Sequence, residues 1–140
     1  MANRYPHMLP DDVPVWERWL QAHPDPNATI DYDVKVGRGI DVREDIPDPW
    51  ASMAVDLSMK RIDAIITSGD TILIIEVKKI AGWTAIGQIL GYPVIFINTY
   101  HPTLAVSALL VTESFTLDTR DIMDFYHLPY EIMPPPAAGG

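Results

Sequence analysis

Residues 61–79 read RIDAIITSGDTILIIEVKK. Two runs rich in isoleucine, valine and threonine flank Ser68-Gly69-Asp70, the composition of two strands joined by a tight turn. Such a hairpin is bound for a buried sheet, yet Asp63 interrupts its first strand, and Glu76 and Lys78 interrupt the end of its second. A carboxylate inside an apolar strand is costly unless it is paired or bound to a cation. Glu76 and Lys78 are two residues apart, so they share one face of their strand. Asp63 lies on the neighbouring antiparallel strand, 13 residues before Glu76 (76 − 63), and the short turn brings it near that pair. Two carboxyls and an ammonium converging at a strand end make an oxygen-rich site for a hard cation, Mg²⁺ or Mn²⁺. This set of groups suits phosphodiester hydrolysis, in which the cation activates water and offsets charge on the scissile phosphate.

Outward from the hairpin, the N-terminal side begins with Pro10-Asp11-Asp12-Val13-Pro14, a helix start with acids at the positive end of the dipole and proline in the first turn. The helix runs through VWERWLQA, with Val15, Trp16, Trp19 and Leu20 on one face. TIDYDVKV then alternates as a strand with one solvated face. Residues 37–57 mix glycine, proline, charge and isolated apolar residues, and read as a long loop with room for one short helical turn. The hairpin strands fall at about 58–67 and 71–79. Downstream, Trp83, Ile86, Ile89, Leu90 and Val94 recur at helical spacing, with Pro93 placing the end of that helix in question. LAVSALLVTES reads as a buried strand, TLDTRDIMDFYHL as an amphipathic helix capped by Thr116 or Asp118, and PYEIM as a short last strand. Residues 134–140, PPPAAGG, form a proline- and glycine-rich tail outside a single domain at 1–133.

At 140 residues and 48% apolar content, the chain has enough for one real core. It has no cysteine, so disulfides and thiolate metal sites are excluded. No apolar run reaches the roughly 18 residues of a membrane span and no export leader stands at the start. The expectation is a cytoplasmic protein with no membrane association. The net charge of −9 argues against a broad basic surface for gripping nucleic acid. Seven of the ten basic residues nevertheless lie between positions 35 and 79, where they face eight acids. That stretch is near neutral between acidic flanks, which leaves room for a local basic rim. Trp16, Trp19 and Trp83 read as core or interface, and Trp50 in the loop as the better contact residue. The four histidines are scattered without ligand spacing.

Asp63 followed by Glu76-Val77-Lys78 resembles the signature of the PD-(D/E)XK nuclease superfamily. Gln88-Ile89-Leu90-Gly91-Tyr92 resembles the Q-x-x-x-Y motif of its RecB-like branch, on the helix directly after the motif lysine. The resemblance implies a restriction-endonuclease-like α/β core, an αβββαβ mixed sheet flanked by helices, with a further C-terminal helix. It implies that Asp63, Glu76 and the Val77 carbonyl bind Mg²⁺ or Mn²⁺, that Lys78 handles the nucleophilic water, and that Gln88 and Tyr92 trim the site. The superfamily often adds an acid from the first helix, where Glu17 is the only glutamate. Arg61-Ile62 departs from the pattern, in which proline commonly precedes the aspartate. The implied function is metal-dependent hydrolysis of DNA. The small size and acidity point to a larger assembly, formed with protein partners or as a homo-oligomer. The alternative is a catalytically silent structural or assembly protein on the same fold, for instance in a phage particle, which would locate it in the host cytoplasm or the virion.

Overall fold

The hairpin forms, and the sheet grows outward from it. The computed structural model describes Tyr5, residues 7–39 and residues 41–137. Strand β2, Lys60–Ser68, pairs antiparallel with β3, Thr71–Ala81, in a register from Ser68↔Thr71 to Ala64↔Ile75. Gly69 takes the left-handed conformation, φ +57°, that a two-residue hairpin turn demands of its first residue. The Thr71 hydroxyl donates to the Ser68 carbonyl at 3.0 Å and closes the turn.

β1, Thr29–Val36, adds antiparallel to the outer edge of β2. On the other side β3 pairs parallel with β4, Ala105–Phe115, and β4 pairs parallel with β5, Tyr130–Ile132. The sheet order is β1-β2-β3-β4-β5. A parallel partner requires a crossover, and helix α3, Trp83–Tyr100, supplies it between β3 and β4. Helix α1, Val13–Ala22, precedes β1, and α4, Thr119–Phe125, links β4 to β5. This is the mixed sheet flanked by helices that the sequence implies, with PYEIM as its last strand.

α3 covers one face of the sheet, where Tyr92, Phe96 and Ile89 pack on Ile62, Ile74 and Leu110. α1 covers the other, where Trp16 and Trp19 pack on Ile75, Val77 and Val111. The two indoles stack 5.2 Å apart, and each N–H is satisfied inside the fold, Trp16 by the Tyr32 hydroxyl and Trp19 by Glu131. They are core residues, as their spacing indicates.

The structure departs from the sequence reading in three places. The stretch read as a loop at 37–57 contains a nine-residue helix α2, Trp50–Ser58. Asp48 anchors its start by accepting from the Ser52 N–H and hydroxyl, and Ala, Met and Val are compatible with the helix that follows. Strand β2 therefore starts at Lys60 and not at 58. α3 continues unbroken past Pro93, and its buried face is Ala85, Ile89, Tyr92 and Phe96, while Trp83, Leu90 and Val94 are exposed. α4 is shorter than the expected helix; Asp118 stands at its N-cap without a side-chain cap bond, and the Thr116 hydroxyl bonds that of Thr119. Residues 134–137 are exposed and lie outside any helix or strand. The last three residues of the expected tail lie outside the described residues. Among the described residues no helix is long and apolar enough to cross a membrane.

Candidate active site

The pairing of β2 with β3 ends at Ala64↔Ile75. Just past that point the two strands diverge, and Ile62 and Ala64 pack on opposite faces of the sheet, so the alternation breaks at Asp63. Hydrogen bonds across the fork bring Asp63 and Glu76 together. Their side chains replace the ladder bonds lost at this fork. Asp63 Oδ2 accepts from the Val77 N–H at 2.9 Å, and Glu76 Oε1 accepts from the Asp63 N–H at 3.3 Å.

Glu76 is 1% exposed, the most deeply buried acid of the chain among the described residues. Burial first, then the neighbouring charge of Asp63, pushes its carboxyl up to about 9, against the Asp63 N–H and the charge of Lys78. Burial likewise raises Asp63, opposed by the Val77 N–H, by Lys78 and by its bond with Glu76, while Asp12 adds repulsion. Lys78, two residues along the strand from Glu76, lies on the same face and acts electrostatically on both acids.

α3 packs over this region of the sheet. Gln88 and Tyr92 are one turn apart, and the Gln88 amide faces the Tyr92 hydroxyl at 3.4 Å. Burial raises the Tyr92 hydroxyl; the Gln88 contact lowers it, and the charges of Glu76 and Asp63 raise it again, so the tyrosine stands within electrostatic reach of both. Gln88 Oε1 is buried without a hydrogen-bond partner among the described residues, an acceptor left open to a further donor.

The first-helix acid that acts on Asp63 is Asp12; Glu17 is exposed on α1. Asp12 is 5% exposed, occupies the N-cap of α1 and makes no cap bond with its side chain. It reaches across to accept from the Lys79 N–H on β3 at 2.7 Å. Asp12 was legible only as a helix-start acid, because such a residue ordinarily caps its own helix. A second neighbour escaped sequence reasoning. Beside Asp63 lies a cavity of about 180 Å³ where Arg61 and His7 both bond Asp33 Oδ2, at 3.1 and 3.0 Å. Asp33 itself has φ +56°, and nothing in a strand-like TIDYDVKV announces that conformation.

Two carboxyls driven toward their neutral forms face one ammonium, so the cluster is short of positive charge. A hard divalent cation with oxygen ligands fits that deficit. Among the described residues no three acidic or histidine side chains form a cage for a metal ion. The fit is therefore to an ion held by one or two carboxylates with water and substrate oxygens completing the shell, the usual way magnesium is held.

No protein-family model matches the chain, and no curated protein sequence is similar to it. Solved structures are similar in fold. An EndoMS complex with double-stranded DNA matches with a TM-score of 0.50 at 16% identity, over 97% of this chain and 50% of that one. A repair endonuclease from Pyrococcus abyssi matches with a TM-score of 0.44 at 18% identity, over 76% of this chain and 40% of that one. The chain thus spans about half the length of the first of these structures, and the likeness to it is one of fold.

Proposed function

We propose that this chain is a divalent-cation-dependent nuclease that hydrolyses phosphodiester bonds of DNA as part of a larger assembly. The observation that carries the reading is the pair Asp63–Glu76, set face to face where β2 and β3 part, with Lys78 on the same face. In this reading Asp63, Glu76 and the Val77 carbonyl hold Mg²⁺ or Mn²⁺, with Asp12 as the acid contributed from the first helix. The bound ion lowers the pKa of its water and offsets charge on the phosphate. Lys78 orients the attacking water and balances the two carboxylates. Gln88 and Tyr92, read as the Q-x-x-x-Y pair of the RecB-like branch, align a substrate oxygen over the cleft and restrict entry of solvent. The EndoMS structure is a complex with double-stranded DNA, which supports DNA as the substrate class.

Two further features support an assembly. The net charge of −9 opposes autonomous capture of a polyanion. Trp83, Leu90, Val94 and Ile97 recur along α3 within one narrow arc and are 68, 55, 57 and 44% exposed, an apolar stripe suited to a protein partner.

The test is cleavage of single-stranded, duplex and branched DNA with Mg²⁺ or Mn²⁺. Cleavage by the parent is expected, with a loss of a hundredfold or more in Lys78→Ala, on the order of the 10²–10⁴-fold carried by a positioned proton-transfer group, while the variant keeps its fold. A parent that leaves all three substrates intact in both ions, alone and with its assembly partners, contradicts the proposal and favours the silent structural alternative.

A further inference from the structure

The basic residues of this acidic chain gather at one end of the sheet. In the β1–β2 ladder Lys35 pairs with Arg61 and Val36 with Lys60, and Arg38 follows β1 directly. Lys78 and Lys79 lie at the matching end of β3, just past Glu76. Arg61 is tied to Asp33. Arg38 and Lys60 are exposed and have no carboxylate partner among the described residues. Two cations on one groove without a carboxylate partner leave it able to take an anion.

They line a groove of about 740 Å³ between the end of β1 and the C-terminal half of α3, together with Gly37, Gly39, Asn98 and Thr99. Gly37 and Gly39 have φ +88° and +72°, so the turn carrying Arg38 is built where side chains are disfavoured and the backbone stays approachable. The Gly37 N–H donates to the Thr99 hydroxyl at 3.1 Å, which in turn donates to the Ile95 carbonyl at 2.7 Å, and this fixes the turn on α3. The exposed Asn98 amide has no partner among the described residues. The groove is therefore a fixed wall with two cations and an amide donor at its rim.

We propose that this groove is a phosphate-backbone subsite that holds the DNA strand flanking the scissile phosphate. The proposal rests on the nuclease reading and adds the path of the substrate. Thr99 lies two helical turns beyond Tyr92 on α3, about 10 Å at 1.5 Å per residue. That is about three nucleotide steps at 3.4 Å of axial rise. The groove's volume exceeds the needs of a single phosphate, and its cations are point donors that match backbone oxygens without reading bases. Net acidity elsewhere then directs the strand to this end of the sheet and away from the rest of the surface.

The experiment measures binding of fluorescent single-stranded and duplex oligonucleotides of unrelated sequence in EDTA, over a salt series. The parent is compared with Arg38→Gln, Lys60→Gln, the double variant, and Arg120→Gln on α4, which removes one charge outside the groove. Each groove variant is expected to weaken binding equally across sequences. The double variant should lower the slope of log K against log salt by about 1.4 for single strands and about 1.8 for duplex, with Arg120→Gln leaving the slope unchanged. Groove variants indistinguishable from Arg120→Gln overturn the subsite, and if the parent still cleaves DNA the nuclease reading survives that result. A parent that binds through Arg38 and Lys60 but never cleaves with Mg²⁺ or Mn²⁺, alone or with its assembly partners, upholds the groove as a phosphate-backbone site and sinks the hydrolytic reading. A parent that binds no DNA even at low salt overturns the subsite, and the nuclease reading, which leaves capture of DNA to a larger assembly, is then decided by cleavage with the assembly partners.

Discussion

Glu76 is where the proposed chemistry and the stability of this protein meet. Its carboxyl is pushed up to about 9 in the fold, against a value near 4.3 in an unfolded chain. At pH values below the unfolded one both states are protonated and nothing is lost. As pH rises from there toward 9, the unfolded chain ionises while the folded one keeps its proton, so the metal-free protein loses stability through that window. Asp63 is raised in the same direction and adds to the trend. Thermal melts in EDTA are expected to fall steadily from pH 5 to pH 9. Glu76→Gln should melt close to the parent at pH 5, well above it at pH 8, and with a shallower decline. Mg²⁺ should raise the parent's melting temperature most at the alkaline end, since cation and proton compete for the same oxygens. A parent whose melting temperature is flat over this range, or a Glu76→Gln variant that melts lower than it at pH 8, would show that the glutamate is not held under charge strain.

At the level of elements, α3 makes the clearest demand on physical explanation. Pro93 has no N–H to offer the carbonyl four residues back, yet the helix runs through it to Tyr100. Tyr92 and Phe96 on either side are buried in the core, and their packing holds the helix across the missing bond. Pro93→Ala should therefore stabilise the fold, by about 1–3 kcal/mol, read as a higher melting temperature. A lower one would mean that the proline ring contributes packing worth more than the restored bond. The same helix marks the limit of what periodicity could tell. Its apolar residues surround it on all sides, so spacing identified a helix but not which side faces the sheet. The hairpin was more legible, because alternation and a glycine turn admit one register, and that register carries Asp63 to within hydrogen-bond reach of Glu76 and Val77. α2 was hidden by the prolines and charges before it; its local anchor, Asp48, shows itself only in the bonds it accepts from Ser52. Asp12 was hidden for another reason: its bond to Lys79 joins residues 67 positions apart, a contact that no local pattern carries.

For the whole molecule, the proposed nuclease function would require an acidic chain to engage a polyanion. Its charge is distributed by position in the fold: cations at the end of the sheet that holds Asp63, Glu76 and Lys78, acids over the flanks, and an apolar stripe on the outside of α3. In the proposed reading, that distribution leaves one end for the substrate and one helix face for a partner. The hydrolytic part of that reading depends on a cation at the fork between β2 and β3. The direct measurement is anomalous diffraction from crystals soaked in MnCl₂. The expected result is a single strong peak at about 2.1 Å from carboxylate oxygens of Asp63 and Glu76, retained in Lys78→Ala and lost in Asp63→Ala. A fork without a peak at saturating Mn²⁺, in a crystal form that leaves it open to solvent, would contradict the metal site and with it the hydrolytic function.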